Sequence, residues 1–450
     1  MMLRAEHSPV VKLENSARSL ASLGRGPIAR GSLLSIAIRV AALGLLFLQA
    51  VLTARLLGPE GYGTIAVALS IATIAATVAM LGFGPLAVRE VARLSARADW
   101  ITLRGFLRYS GLAVIIASLV AGGAIAALAL WTGLFGVHFR FEIAIAAVLV
   151  LPLAALIYLR GVLQGFGRIL SAQVPNDLLR PVIIVGCVGG LLFFGSSIST
   201  VGFMTLVLAA ACLAALLAAI SLARSVRTLA PTKITEVQSR HWGRAAAPFL
   251  AIFVLGIIGT EANTLILGWL AGPAEAGLFQ PVARLVPIML IANEALAMPL
   301  APRIAARWEE RDLDGIRHLF RLATRFATVV TAIVVLGLVL LAPLIFSAFG
   351  REFLVNAHLV LWIGMAQLVS AGTGQAALLL TMAGAMRLRI LVQGLMLLVQ
   401  LGLGLVLIGP FGAAGAALAL VGAILVWSIL NWLFARVALG IDTSLIAGWR

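Results

Sequence analysis

The chain has 450 residues, of which 62% are apolar and 11% charged, and its 33 Lys and Arg against 17 Asp and Glu give a formal net charge of +16. A soluble domain is nearer half apolar and a quarter charged, so this composition excludes a water-soluble globule. It predicts an integral membrane protein, in which the basic excess must be interpreted from its position along the chain.

The chain begins with a basic segment, residues 1–30, that has no apolar core of the signal-peptide kind. The apolar run that starts at about Gly31 is too long for a cleaved signal. We therefore predict a cytoplasmic basic tail over 1–30, followed by the first spanning helix.

Twelve apolar stretches then follow. A spanning helix needs about 20 apolar residues, and lipid offers no partners for backbone N–H and C=O groups, so such stretches must be helical. The predicted fold class is all-α, a polytopic membrane protein with twelve transmembrane helices. The stretches cover about residues 31–56, 62–84, 109–132, 142–160, 181–195, 201–223, 247–271, 276–298, 325–348, 355–382, 390–409 and 413–435. Cys187 and Cys212 lie inside them, as expected for small buried side chains rather than for a metal site or disulfide framework.

The connections between these stretches alternate in basic content. Those on one predicted side contain 28 of the 33 Lys and Arg residues, and those on the other side contain only Arg55, Arg140 and Arg351. Basic residues concentrate on the cytoplasmic side of membrane proteins, so both termini are predicted to be cytoplasmic. The net charge is then mostly a topology signal that also attracts anionic lipid headgroups. This placement argues against a nucleic-acid partner.

An internal repeat relates the two halves of the sequence. A shift of 214 residues places Gly58-Pro59 on Gly272-Pro273 and Gly63 on Gly277, with further Pro and Arg matches downstream. We predict two six-helix lobes related by pseudo-two-fold symmetry, with the substrate site between them. The predicted domains are the tail 1–30, an N-terminal lobe 31–223, a cytoplasmic linker 224–246, a C-terminal lobe 247–435 and a cytoplasmic C-tail 436–450.

Four ionisable residues fall inside predicted spans: Arg39, Glu261, Arg284 and Glu294. An Arg at mid-bilayer costs around 2.5–3.5 kcal/mol on insertion scales, so such residues usually face a cavity or a partner. Their repeat equivalents are uncharged, Ser70 in the case of Arg284, as expected for a site rather than a scaffold. Glu294 is predicted near the cytoplasmic interface.

Three amides add to this set. Gln49 and Asn263 are repeat equivalents on the two sides of the predicted cleft, and Gln280 lies one helical turn from Arg284. Glu261 is predicted within reach of Arg284, so the sequence leaves open an ion pair that only neutralises two buried charges. A substrate role for Arg39 and Arg284 is favoured, because each guanidinium can bind phosphate oxygens bidentately.

Three motifs resemble a known family. Residues 54–63 (ARLLGPEGYG) with Val88-Arg89-Glu90, residues 266–279 with Pro302-Arg303, and residues 409–417 (GPFGAAGAA) are similar to signatures of bacterial polysaccharide flippases. The superfamily is the one that joins multidrug exporters to flippases of lipid-linked saccharides. The resemblance extends from about residue 31 to residue 435.

The resemblance implies a carrier that moves an undecaprenyl-diphosphate-linked oligosaccharide across the bacterial cytoplasmic membrane by alternating access. It implies a central cationic cavity containing Arg39 and Arg284, and no cofactor. Apart from the resemblance, Glu261 is a candidate for ion coupling because it lies inside a predicted span. The implied partners are the lipid-linked substrate, membrane lipids, and the polymerase and glycosyltransferases of the same pathway. Related lipid II flippases with fourteen helices and more cavity arginines fit this sequence less well.

Two alternatives remain. A cation-coupled multidrug exporter of the same superfamily is one, although two arginines would oppose a cationic drug. A membrane glycosyltransferase or polymerase is the other, suggested by the D-x-D sequence Asp312-Leu313-Asp314, whose ungapped repeat equivalents are Ala98 and Trp100. The chain shows no phosphate loop, metal-ligand spacing or nucleophile motif, so we predict no catalytic residues and no metal.

Overall fold

The computed structural model describes residues 27–131, 140–227 and 239–445. Most of the predicted basic tail, the centre of the linker (228–238) and the end of the C-tail (446–450) lie outside these ranges. We refer to 27–227 as the N-terminal half and to 239–445 as the C-terminal half. The helices are α1 (Pro27–Ala79), α2 (Phe83–Ala96), α3 (Trp100–Trp131), α4 (Arg140–Gly165), α5 (Ile169–Gln173), a π-helix (Val174–Leu179), α6 (Arg180–Phe193), α7 (Thr200–Arg227), α8 (Ser239–Leu270), α9 (Pro273–Met289), α10 (Ile291–Glu309), α11 (Leu313–Phe349), a 3-10 helix (Arg351–Asn356), α12 (Leu359–Gly372), α13 (Ala376–Met382) and α14 (Met386–Leu439).

The described residues are 91% helical and contain no strand, which confirms the all-α class. Within them, nine helices are long and apolar enough to cross a membrane, or ten if α12 and α13, bent by 45°, form one broken span. The longest two, α1 and α14, are interrupted at Gly58 and Gly412, where the backbone is not helical. An unbroken 53-residue helix would extend roughly 80 Å, far beyond a bilayer core of about 30 Å. The breaks therefore divide each into two segments, and the exact count of twelve spans stays a prediction.

The Gly-Pro pairs of the repeat adopt the same backbone conformation. Gly58 has φ 66° and ψ −179°, and Gly272 has φ 89° and ψ 169°. This region of backbone space is essentially restricted to glycine. Pro59 and Pro273 then lie in the first turn of the next segment, where a missing N–H has no cost. The regular helix therefore stops at both positions, between the predicted spans on either side.

The segments that follow these breaks cross each other at Gly63 and Gly277. A Cβ atom on Gly63 would overlap the carbonyl oxygen of Pro273, and one on Gly277 would overlap that of Pro59. Since 59 and 273, like 63 and 277, are repeat equivalents, the crossing is reciprocal, as a two-fold relation requires. Close backbone approach through glycine is a recurrent way for membrane helices to pack.

The repeat continues into the next connection, but with a one-residue gap. Ala98 and Arg311 both have positive φ, 53° and 57°. Next to them, Asp99 Oδ1 accepts a hydrogen bond from Thr102 N at 3.1 Å, and Asp312 Oδ1 accepts one from Gly315 N at 2.8 Å. The ungapped pairing of Asp312 with Ala98 is therefore wrong, because the structural equivalent of Asp312 is Asp99.

This local structure also accounts for the D-x-D sequence. Asp312 is the N-cap of α11, a position where Asp is favoured because its carboxylate satisfies a free backbone N–H. Asp314 forms an exposed ion pair with Arg317 at 2.9 Å. The two carboxylates have roles in the helix terminus and in a surface ion pair.

The apolar core has one large cluster in each half and a smaller third one. The first extends from Ile65 to Ala218 and also buries Trp242, at the start of α8, against Phe106 at 5.4 Å. The second combines Tyr62 and nearby α1 residues with side chains of the C-terminal half. Helices α1 and α8 therefore each pack against both halves, and the space between the halves contains the site described next.

Candidate functional site

A polar cavity of about 140 Å³ lies between the two halves. The second segment of α1, α4, α6 and α7 contribute to it from the N-terminal half, and α8 and α9 from the C-terminal half. Its remaining lining is formed by Ala, Leu and Val side chains. The polar side chains that line it are those of Ser70, Thr73, Arg180, Glu261, Gln280 and Arg284.

Equivalent positions of the two repeats line the cavity. Ser70 and Arg284 are repeat equivalents, as are Ala66 and Gln280, and all four line it. Ser70 and Arg284 each lie eleven residues beyond the proline that begins their segment, which corresponds to roughly 16 Å along the helix axis. This depth is close to the middle of a bilayer core about 30 Å thick.

Glu261 and Arg284, both expected within spans, line this one cavity. The Ser70 hydroxyl donates a hydrogen bond to Glu261 Oε2 at 2.6 Å. The ion pairs of the described residues, defined by an N–O distance of 4.0 Å or less, do not include one between Glu261 and Arg284. The Arg284 side chain is exposed and lies beside the buried Tyr62 hydroxyl.

Gln280 also lines the cavity, whereas the other two amides lie elsewhere. The Gln280 Nε2 group donates to Thr264 Oγ1 at 3.1 Å, which fixes its orientation. Asn263 is buried and donates from Nδ2 to the Ala416 carbonyl oxygen on α14 at 3.2 Å. Gln49 is half-buried, and its Oε1 atom has no hydrogen-bond partner among the described residues.

Arg39 does not line the cavity. Its side chain is exposed on α1, nineteen residues before the Gly58 break, which is roughly 28 Å along the helix. Since the Gly58 and Gly272 breaks lie at the same end of the molecule, Arg39 is about 12 Å further than Arg284 towards the predicted cytoplasmic side. Glu294, on α10, is exposed as well.

The sequence interpretation missed Arg180, which it counted among the basic residues of a cytoplasmic connection. The structure places Arg180 at the start of α6, on the cavity wall. The predicted span 181–195 offered a signal, because fifteen residues cover only about 22 Å and cannot cross a bilayer core. The spanning helix therefore had to begin before Arg180.

The charges of this lining favour an anion. Two guanidinium groups, Arg180 and Arg284, face a single carboxylate, Glu261, among the lining residues. Arginine binds phosphate and carboxylate groups through paired, charge-assisted hydrogen bonds, which are stronger away from bulk water. No group of three or more His, Cys, Asp or Glu side chains able to hold a metal occurs in the described part of the chain.

Comparison with known proteins places these features in a family. A profile of the family described as polysaccharide biosynthesis protein matches residues 28–306, more than half of the chain. No curated protein matches the chain.

Solved structures share the fold at low sequence identity. They include the inward-facing conformation of a multidrug resistance MATE family transporter of the MOP superfamily, with 15% identity and a TM-score of 0.69 over 90% of this chain and 98% of that chain. The lipid II flippase MurJ, in an inward closed conformation, has 12% identity and a TM-score of 0.65 over 90% and 87% of the two chains. A MOP superfamily transporter from Pyrococcus furiosus, whose reverse pocket polarity suggests a different function, has 16% identity and a TM-score of 0.59 over 90% and 94%.

These matches confirm the resemblance seen in the sequence motifs and the multi-pass membrane architecture. The chain belongs to the polysaccharide biosynthesis protein family and has the fold of the MOP superfamily transporters.

Proposed function

We propose that the protein is a flippase that carries an undecaprenyl-diphosphate-linked oligosaccharide from the inner to the outer leaflet of the bacterial cytoplasmic membrane. The product would serve cell-surface or exopolysaccharide synthesis. The observation that carries this proposal is the mid-depth cavity between the two halves, with Arg180 and Arg284 against the single carboxylate of Glu261. Ionisable side chains inside a membrane are costly and usually mark a substrate or ion pathway.

The diphosphate is the part of this substrate that needs a polar path. Its negative charge cannot enter hydrocarbon, whereas the polyprenyl chain can remain in lipid. A guanidinium group in the cavity replaces part of the phosphate hydration through paired hydrogen bonds. Arg284 is therefore the central binding residue, with Gln280 beside it as an amide donor or acceptor.

The two halves would move relative to each other during transport. We take residues 31–223 and 247–435 as two lobes, in agreement with the reciprocal crossing at Gly63 and Gly277. Carriers with internal repeats expose a site between the lobes first to one side and then to the other. Both termini would be cytoplasmic, as the distribution of basic residues indicates.

Arg39 would have an earlier role than Arg284. Its exposed position, about 12 Å nearer to the predicted cytoplasmic side, suits a first contact with the headgroup as it leaves the inner leaflet. Gln49 lies in the same segment of α1, ten residues closer to the Gly58 break. Glu261 would compete with the substrate phosphates for the arginines and is the residue through which an ion gradient could be coupled.

A multidrug exporter is the second candidate, because several MATE transporters share the fold. The charge of the cavity argues against it, since two guanidinium groups repel an organic cation. A glycosyltransferase or polymerase is less well supported, because the D-x-D aspartates are occupied at a helix terminus and in an ion pair. We propose a non-enzymatic carrier whose partners are the lipid-linked saccharide, membrane lipids and the enzymes that build and polymerise it.

The test is genetic complementation in the source bacterium. A deletion strain would be complemented with the wild type, with Arg284→Gln or with Arg39→Gln, at protein levels matched in isolated membranes. We expect surface polysaccharide to be lost and lipid-linked oligosaccharide to accumulate with Arg284→Gln, and a smaller defect with Arg39→Gln. Normal export with both substitutions would refute the binding proposal, and restored drug resistance without restored polysaccharide would favour the exporter.

A further inference from the structure

We propose that Arg180 is a second phosphate-binding residue, that Asp177 positions it, and that Arg180 and Arg284 together select a diphosphate-linked lipid over a monophosphate-linked one. This inference deepens the proposed function and rests on it. Both arginines line the same cavity, and they come from opposite halves of the chain.

The Arg180 guanidinium makes few hydrogen bonds to the protein. Its side chain is half-buried, its Nε atom is buried without a hydrogen-bond partner among the described residues, and its Nη1 atom makes only a long contact of 3.4 Å with Asn176 Oδ1. The Asp177 carboxylate attracts the positive charge of Arg180, and the positive charge of Arg284 repels it. Two like charges that lie close together are unfavourable, and an anion that binds both relieves their repulsion.

The carboxylate nearest to Arg180 in sequence is bound to another arginine. Asp177 Oδ1 accepts a hydrogen bond from Arg160 Nη1 at 3.0 Å and another from Asn176 Nδ2 at 2.9 Å. Asn176 connects this pair to Arg180. Asp177 therefore shares its charge between Arg160 and Arg180, and the one hydrogen bond of the Arg180 guanidinium among the described residues is the long contact with the Asn176 amide oxygen.

The backbone supplies the orientation. Residues Val174–Leu179 form a π-helix, and Arg180 is the first residue after it. The wider turn of a π-helix rotates the residues that follow relative to a regular helix, and such turns often occur at functional sites. Here Asp177, inside the π-helix, contacts Arg160, and Arg180, directly after it, lines the cavity.

Two guanidinium groups on one cavity match two adjacent phosphate groups. Each guanidinium can bind one phosphate through a pair of hydrogen bonds, so a diphosphate can engage both arginines at once. A monophosphate can form such a pair of hydrogen bonds with only one of the two arginines. The repulsion between the two guanidinium groups then remains. Selectivity between the two lipid classes should therefore depend on Arg180 and Arg284 in equal measure.

The experiment measures binding of two defined lipids to the full-length protein in nanodiscs. The probes are undecaprenyl diphosphate and undecaprenyl monophosphate, compared for the wild type, Arg180→Gln, Arg284→Gln and Asp177→Asn. The control is Arg168→Gln, since Arg168 is exposed and outside the cavity lining. We expect Arg180→Gln and Arg284→Gln each to weaken diphosphate binding by roughly ten-fold or more, with little change for the monophosphate. Asp177→Asn should give a smaller loss of diphosphate affinity, and Arg168→Gln should give none.

Arg180→Lys keeps the measurement decisive if Arg180→Gln does not fold. Lysine retains the charge but cannot make the bidentate contact, so we expect the diphosphate preference to fall although monophosphate affinity is kept. An Arg180 variant that folds and keeps the wild-type preference would overturn this inference, even if Arg284→Gln abolishes binding. A wild type that binds neither lipid would instead overturn the proposed function.

Discussion

The Ser70 hydroxyl donates a hydrogen bond of 2.6 Å to Glu261 Oε2, joining the second segment of α1 to α8 inside the cavity. Ser70 is also the repeat equivalent of Arg284. The two equivalent positions therefore have different roles in the site. Ser70 donates a neutral hydrogen bond to the Glu261 carboxylate, and Arg284 contributes a positive charge. The bond connects the two halves of the chain at the depth of the site, so it must break when the halves separate there.

Substitution of Glu261 by Gln should abolish the coupling of transport to an ion gradient and leave substrate binding in place. It removes the negative charge that competes with phosphate for the cavity arginines, and it keeps the size of the side chain. In proteoliposomes, we expect transport by Glu261→Gln to lose its response to whichever imposed gradient, proton or sodium, stimulates the wild type. Affinity for undecaprenyl diphosphate should be unchanged or higher. Ser70→Ala serves as the control, because it removes the hydrogen bond and keeps the charge. An undiminished gradient response in Glu261→Gln would exclude Glu261 as the coupling residue.

Substitution of Gly277 by Ala should force the reciprocal helix crossing apart. The new Cβ would overlap the Pro59 carbonyl oxygen, and overpacking of this kind costs about 1–3 kcal/mol. We expect a lower melting temperature in detergent for Gly277→Ala and for Gly63→Ala. The double variant should lose less than the sum of the two, since both changes act on one contact.

The control for this series is Gly256→Ala. Gly256 lies in α8 with no atom within 4 Å of the added Cβ, so alanine should be neutral or slightly stabilising there. Equal melting temperatures for Gly277→Ala and Gly256→Ala would show that the crossing is looser than the structure indicates.

Substitution of Asp99 or Asp312 by Ala should reduce stability by similar amounts. Each carboxylate caps the start of a helix, and loss of such a cap costs about 1 kcal/mol. Asp314→Ala is the matched control, because its ion pair with Arg317 is exposed and such pairs contribute little. Thermal unfolding in detergent measures all three. If Asp312→Ala retained full stability but abolished polysaccharide synthesis, the glycosyltransferase hypothesis would return.

Asp442 should make the stability of the C-terminal turn depend on pH. Burial raises the pKa of this carboxyl, but hydrogen bonds from Trp432 and Ser444 and the charge of Arg436 outweigh it, so its pKa lies below the usual value. A carboxyl with a lowered pKa in the folded state contributes stability above its unfolded pKa and loses it as the pH falls through the folded pKa. We therefore expect Asp442→Asn to lower the melting temperature at pH 7, and the difference from the wild type to shrink in acid, below about pH 4. A difference that stays constant from pH 7 to pH 3 would contradict this assignment.

Much of the architecture follows from patterns that act locally. Apolar runs must be helical in lipid, so the sequence indicates where the spans lie. Gly58 and Gly272 adopt a conformation that is essentially restricted to glycine, so the sequence also indicates the breaks and the repeat that relates them. The one-residue gap before Asp99 and Asp312 was not visible, because the left-handed position that precedes each aspartate holds Ala98 or Arg311 and not the glycine that usually marks such a turn.

The site was harder to predict for a different reason. Arg284, Glu261 and Gln280 interrupt apolar helices and were therefore visible as candidates. Arg180 was hidden because it stands at a helix start, where an arginine is also expected as a cytoplasmic anchor. The structure places it directly after a π-helix and on the cavity lining. The direction in which Asn263 and Gln49 point depends on helix rotation, which the apolar pattern of a membrane helix specifies weakly.

The most direct test of the central claim is a flipping measurement with purified protein. Proteoliposomes would contain a fluorescent undecaprenyl-diphosphate-linked saccharide, and a quencher that cannot cross the membrane would report the fraction in the outer leaflet over time. We predict that the wild type moves the lipid between leaflets and that Arg284→Gln, at equal reconstitution, is slower by roughly ten-fold or more, whereas Arg168→Gln matches the wild type. Flipping by Arg284→Gln at the wild-type rate, or wild-type liposomes no faster than protein-free ones, would contradict the claim.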